Sequence, residues 1–179
     1  MKRFPALLLI LLTASAVTAR AQVAPSATRA RGLSVTAGGI GSFFQPDYGP
    51  NRLGGIGAYV DVKFTHWIQV EGEGRWLRFN QLDNVYEDNY LIGPRVPLPR
   101  IWKAAPYAKV LVGDGKMNFQ FNEAKGNFTA LAYGGGVDLR MSKRWSFRAI
   151  DVEYQQWPKW VGGTLSPYGI SAGIGYKIF

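Results

Sequence analysis

Cysteine is absent from the 179-residue chain, and histidine occurs only once, at His66. Without cysteine the chain can form neither a disulfide framework nor a thiol-linked lipid anchor. One histidine, in a predicted turn, cannot supply a cluster of metal ligands. We therefore expect no metal and no cofactor, and a fold whose stability comes from strand pairing and packing.

Long apolar runs are also missing. The longest, about residues 6–17, falls short of the ~20 residues that a membrane-spanning helix needs. It follows Lys2-Arg3 and precedes Ala19-Arg20-Ala21, which is the order of parts in a secretory signal peptide. The sequence predicts a signal peptide over 1–21, cleaved before Gln22, and a polar leader over 22–31. A single membrane anchor is the alternative that the short run disfavours.

The charge balance is basic, with 21 Lys and Arg against 12 Asp and Glu. These bases are scattered among acids and form no single stripe, so a nucleic-acid partner is not expected. Basic rims that face anionic lipid headgroups are a better explanation for an exported chain.

No helical period is sustained after residue 31, whereas apolar and polar residues alternate in eight segments. In one of them Ile56, Ala58 and Val60 alternate with Gly57, Tyr59 and Asp61. Apolar residues on one face and polar residues on the other are typical of a transmembrane barrel strand. A soluble β-sandwich would alternate too. The predicted strands are 32–44, 53–64, 68–79, 89–99, 105–114, 127–141, 146–156 and 167–179.

Connection lengths favour the barrel over the sandwich. The links after odd-numbered predicted strands are long and those after even-numbered ones are short, as expected when one rim faces the outside and the other the periplasm. Trp67, Trp102 and Trp145 lie at the short turns, which fits an interfacial aromatic girdle. Residues 32–179 are thus predicted to form an eight-stranded antiparallel up-and-down transmembrane β-barrel. Pro94, Pro97 and Pro99 predict that the fourth strand is short or bulged near Arg95.

Charged residues concentrate on the faces opposite the apolar ones. An eight-stranded barrel has an interior just wide enough to be filled by side chains, so opposite charges there should pair. Neighbouring carboxylates such as Glu71 and Glu73 could instead suggest acid–base chemistry, but the surplus of nearby bases favours ion pairs. The predicted interior network comprises Asp61, Lys63, Glu71, Glu73, Arg75, Arg95, Asp138, Arg140, Asp151, Glu153 and Lys177, with Lys109 as an addition.

Three phrases, AYGGGVD at 132–138, FRAIDVEY at 147–154 and GIGYKIF at 173–179, together with the eight alternating segments, resemble the OmpA/OmpX-like outer-membrane β-barrel family. The resemblance covers the barrel half of such proteins only. It implies a location in the bacterial outer membrane and a structural or surface role. A lipid-modifying enzyme of this family would need a histidine near a serine on the outer side, and His66 is predicted at the opposite rim.

The resemblance leaves two other roles open, a narrow pore and an adhesin-like protein that binds an extracellular ligand through its long loops. Candidate loop contacts are Tyr48, Tyr86, Phe119, Phe121, Trp157 and Trp160, for which plain interfacial anchoring is the simpler explanation. The expected partners are outer-membrane lipid and the barrel-assembly machinery, the latter through the last strand and its terminal Phe179. We expect a monomer.

Overall fold

The computed structural model describes residues 33–47, 52–79, 84–118, 121, 125–160 and 163–179, except for the side chains of residues 159 and 160. The predicted signal peptide (1–21) and leader (22–31) lie outside these residues. The described residues form nine strands: β1 (Ser34–Gln45), β2 (Leu53–Lys63), β3 (Gln69–Phe79), β4 (Tyr86–Pro97), β5 (Ala104–Asn118), β6 (Lys125–Arg140), β7 (Trp145–Trp160), β8 (Gly163–Leu165) and β9 (Tyr168–Lys177). In the described part of the chain, no helix has the length and apolar character needed to cross a membrane.

The eight long strands close into a barrel. Each pairs with its neighbour in sequence in antiparallel fashion, β7 pairs with β9, and β1 pairs with β9 to close the sheet. The three-residue β8 lies outside this ring, and among the described strands it pairs with the end of β7 alone. The predicted eight-stranded antiparallel barrel is therefore confirmed, with β8 as an unpredicted extension of the connection between β7 and β9.

Alternation along the strands separates two environments. On β2, Ile56 and Val60 are 61% and 44% exposed, whereas Tyr59 and Asp61 between and after them are buried. Since successive strand residues point to opposite faces, the aliphatic side chains cover the outside of the barrel and the polar ones fill its interior. The outer surface is consequently apolar over the height of the strands, as a lipid-facing wall requires.

A β-bulge interrupts this alternation in β7. Val137 on β6 pairs with Ile150, but the next residue, Asp138, pairs with Arg148, so that Ala149 has no partner on β6. One extra residue reverses which face of the strand each preceding side chain points to. Arg148 and Asp151, three positions apart, are both buried in the interior for this reason.

Proline affects β4 less than predicted. The strand spans twelve residues, begins at Tyr86 and ends at Pro97, so Pro99 lies beyond it. Its pairing with β5 passes from Ile92 opposite Val112 to Arg95 opposite Lys109, omitting two residues on each strand. The ladder is interrupted around Pro94, which has no amide hydrogen to donate. The strand is neither short nor bulged, because both strands skip the same number of residues.

The interior is layered along the barrel axis. Buried apolar side chains, including Phe44, Leu77, Leu111 and Trp157, form a cluster among the strand ends that meet the long connections. Buried ionisable side chains occupy the middle, and a cavity lies among the strand ends that meet the three short turns. Side chains thus fill two of the three layers.

Candidate functional site

The charged middle layer centres on Lys109 of β5. Its ammonium nitrogen lies 3.0 Å from Glu71, 2.9 Å from Glu73, 2.8 Å from Asp151 and 3.1 Å from Glu153. The acids come in pairs from β3 and β7, which flank β5 at a distance of two strands on either side. One ammonium group therefore joins three strands that are not hydrogen-bonded to each other.

Three of these carboxylates could also hold a metal ion. Ligand oxygens of Glu71, Glu73 and Asp151 lie within 4.8 Å of one another, and oxygen ligands of this kind suit hard divalent cations. The Lys109 ammonium already contacts all three groups. The lysine ammonium group thus supplies the positive charge that a metal ion would otherwise bring to these carboxylates.

Arg75 of β3 pairs with the acids on the side of the layer that faces the apolar cluster. It donates two hydrogen bonds to Glu153 across the barrel, at 3.1 and 3.3 Å, and a further one to Glu73 on its own strand. Its guanidinium carbon lies 4.1 Å from the centre of the Phe44 ring. The two-pronged geometry fixes the relative position of β3 and β7 as well as balancing charge.

Arg95 of β4 and Arg148 of β7 pair with the acids on the side of the layer that faces the short turns. Both guanidinium groups contact Asp61, Glu71 and Asp138; Arg148 lies 2.8 Å from Glu71 and 3.4 Å from Asp138. Arg95–Glu71 and Arg148–Asp138 join neighbouring strands of the wall. The other four contacts join strands that are not paired with each other and therefore cross the interior.

Aromatic side chains support the two arginines. The Arg95 guanidinium lies 3.6 Å from the centre of the Tyr107 ring, and that of Arg148 lies 3.7 Å from the centre of the Tyr59 ring. The Tyr107 hydroxyl donates a hydrogen bond of 2.8 Å to Asp151. Stacking of this kind holds a planar cation in place and excludes water from one of its faces.

This layer is suited to bracing and poorly suited to catalysis. Within the described part of this layer, six carboxyl groups contact four bases, and each of the six has at least one basic partner. A general acid or base must reach a substrate, directly or through one water molecule. Glu71 is fully buried between Lys109, Arg95 and Arg148, and its neighbour Glu73 is buried between Lys109 and Arg75.

The sequence profile of the outer membrane protein beta-barrel domain family matches residues 6–177. The chain belongs to this family. The resemblance found in the strand phrases is thereby confirmed. No curated protein sequence shows significant similarity to the chain.

Solved outer-membrane barrels share the fold. Neisserial surface protein A superposes with a TM-score of 0.60 at 10% identity, covering 82% of this chain and 97% of that one. The N-terminal barrel of Pseudomonas aeruginosa OprF gives 0.57 at 10% identity, covering 83% and 100%. OprG from the same organism gives 0.51 at 13% identity, covering 82% and 96%. At these identities the likeness is one of fold.

The structure of this outer-membrane barrel brings most of the predicted network residues into one layer. Lys63, Arg140 and Lys177 are the exceptions, since none of them makes an ion pair with an acid of the described chain. Arg140 and Lys177 are exposed, and among the described residues the Arg140 side chain donates a hydrogen bond only to the Ser142 carbonyl, at 3.4 Å. This corrects their assignment to the network. All three lie on the interior face, but nearer the short turns than the layer itself. The members that it does bring together are Asp61, Glu71, Glu73, Arg75, Arg95, Asp138, Asp151 and Glu153, with Lys109.

Arg148 belongs to the layer but was not predicted. Strict alternation from Asp151 places Arg148 on the lipid-facing side, and only the bulge at Ala149 turns it inward. An arginine on the lipid face costs about 2–4 kcal/mol near the bilayer midplane. That conflict within the sequence was the available signal for a bulge.

The predicted loop contacts fall into different environments. Trp157 is fully buried, stacks on Phe128 with ring centres 5.5 Å apart, and donates a hydrogen bond to Gln155. Its assignment to an outer loop is wrong, because β7 continues to residue 160 and Trp157 falls on the interior face. Phe121 is exposed. The assignment of Tyr86 to a loop is wrong, because it is the first residue of β4, where its ring packs under Arg78. Tyr48, Phe119 and the side chain of Trp160 lie outside the described residues.

Proposed function

We propose that this chain is a closed, non-enzymatic barrel of the bacterial outer membrane, with a structural or surface role and an interior braced by ion pairs. The observation that carries the proposal is the filling of the interior by two successive layers. Membership of the outer-membrane barrel family supports the location. The alternating apolar wall supports insertion into lipid.

The two filled layers argue against conduction. The ion-pair layer spans the interior from β3 to β7 through Arg75 and Glu153 and through Lys109. Trp157, Phe44 and Leu111 lie beyond it, each at most 1% exposed. A hydrated ion would have to separate buried ion pairs and then cross an apolar plug, and both steps are unfavourable.

The chemistry of the site argues against an enzyme. His66 is exposed in the short turn between β2 and β3, beside the Trp67 ring. This is the rim that faces the periplasm in outer-membrane barrels, whereas lipid modification at the cell surface requires groups on the other side. Each of the six carboxylates of the described ion-pair layer contacts a base, and all of them except Asp138 are buried.

Conductance across a planar bilayer tests the proposal. Folded protein, identified by a gel mobility that changes on boiling, should show no stable current steps, while a general porin in the same bilayer should conduct. Current steps of uniform size from the folded band would replace the closed barrel by the narrow pore. Enrichment of the protein in soluble periplasm would contradict the location.

A further inference from the structure

The third interior layer is a cavity of about 1000 Å³ at the short-turn end of the barrel. Its floor is the ion-pair layer, represented by Asp61, Arg95, Tyr107 and Asp138, and its walls are the strand ends and the three short turns. In barrels of this family the short turns face the periplasm. The cavity is therefore a vestibule on the periplasmic side, closed at its inner end.

Three bases project into this vestibule from the interior face of the wall. Lys63 and Lys177 end the strands on either side of β1, where they pair with Ser34 and Thr36, and Arg140 ends β6. All three line the cavity. Among the described acids none forms an ion pair with them, which leaves their charge available.

The short turns add a second set of bases around the opening. The turn segments 64–68, 98–103 and 141–144 contain no aspartate or glutamate. The bases they contribute to the lining are Arg100, Lys103, Lys143 and Arg144. Lys103 lies 4.9 Å from the centre of the Trp102 ring, and Arg144 donates a hydrogen bond of 2.9 Å to the Tyr176 hydroxyl, so two of them are held by aromatic neighbours.

The acids of the lining do not cancel this charge. Within the described residues they are Asp61 and Asp138, both on the floor and both contacted by Arg95 and Arg148. A cleft lined by one sign of charge concentrates the field and raises the local concentration of counter-ions. Backbone hydrogen bonds place Lys103 beside Arg140 and Arg144 beside Lys177, so like charges repel each other there, and a bound anion would relieve that repulsion.

We propose that the vestibule binds a soluble, multivalent oxyanion of the polyphosphate type from the periplasmic side. Several separated bases favour an anion with several charges, and a mixture of lysine and arginine suits phosphate oxygens. Lys63 and Lys177 point inside the wall, whereas lipid headgroups surround its outside, so the ligand comes from the aqueous phase. The ion-pair floor makes this a binding site rather than a passage.

Calorimetric titration with inorganic tripolyphosphate tests the proposal on the folded full chain in nanodiscs of zwitterionic phosphatidylcholine, at about 0.15 M salt. The variant Lys63→Gln with Lys177→Gln should bind the probe about tenfold more weakly than the unmodified chain. The control variant Lys116→Gln with Lys125→Gln removes the same charge from exposed positions at the opposite end. Its affinity should stay within roughly twofold of the unmodified chain.

Three results would overturn the proposal. Absence of binding by the unmodified chain would do so, as would equal weakening in the two double variants, which would reduce the effect to net charge. Loss of binding in nanodiscs that contain phosphatidylglycerol would identify a lipid headgroup as the occupant instead. If the first double variant does not fold, Arg140→Gln replaces it, and its affinity for tripolyphosphate should fall about threefold. The same three results would then overturn the proposal.

Discussion

Replacing Lys109 by methionine should destabilise the barrel more than removing any lysine or arginine that lies outside the ion-pair layer. Methionine keeps an unbranched stem and removes the ammonium group that lies 2.8 to 3.1 Å from four carboxylates. Breaking a buried ion pair by removing one partner costs about 3–5 kcal/mol, since the other partner stays buried and uncompensated.

The loss should correspond to one missing base rather than to four separate bonds. Glu73 and Glu153 keep Arg75, and Glu71 keeps both Arg95 and Arg148. The free energy of unfolding should therefore fall by about 3–5 kcal/mol and not by a multiple of it. Adding Glu73→Gln to Lys109→Met should recover part of the loss, with a coupling of about 1 kcal/mol or more.

Urea unfolding of the protein in lipid vesicles, followed by the gel mobility shift, measures these free energies. The matched control is Arg140→Ala, which also removes one positive charge but from an exposed side chain that pairs with no acid of the described chain. Its expected effect is about 0.5 kcal/mol or less. Equal losses in Lys109→Met and Arg140→Ala would refute the reasoning that the buried layer braces the barrel.

Two further substitutions test the wall and the plug. Val60→Arg, on the outer face of β2, should cost about 2–4 kcal/mol in vesicle unfolding, because the penalty is largest near the bilayer midplane. Phe64→Arg at the rim should cost only about 0–1 kcal/mol. Equal costs would contradict the depths assigned to these two residues. Trp157→Ala should cost about 3–5 kcal/mol, because it leaves a cavity against Phe128. Trp67→Ala, in the exposed turn, should cost far less. The reverse order would place Trp157 outside the packed interior.

The facing of most strand residues could be predicted from the sequence because a strand has a period of two. The alternation is unbroken over residues 56–61 of β2 and 71–77 of β3, so Val60 was correctly placed outside, and Asp61 and Glu71 on the opposite face. Alternation carries no information about depth along the axis. Lys63 and Arg140 therefore share a face with the ion-pair layer. Each lies two residues beyond the acid that its strand contributes to the layer, Asp61 or Asp138, and lines the vestibule instead.

Arg148 and Trp157 show what local pattern leaves out. The position of Arg148 depends on one unpaired residue, Ala149, and a bulge is set by pairing with β6 and β9, which are distant in the sequence. The position of Trp157 depends on where β7 ends, and strand ends are the least predictable feature of a pattern. Both errors changed the facing or the depth of one side chain without changing the fold.

The ion pairs that cross the interior have a consequence for kinetics. Arg75 and Glu153 are 78 positions apart in the chain, and Arg148 and Asp61 are 87 apart. Such contacts form only after the wall has closed, so they contribute little to the transition state for folding. Interactions of this class slow the escape from the native state and leave the rate of reaching it nearly unchanged. These ion pairs should therefore slow unfolding and lengthen the lifetime of the assembled barrel.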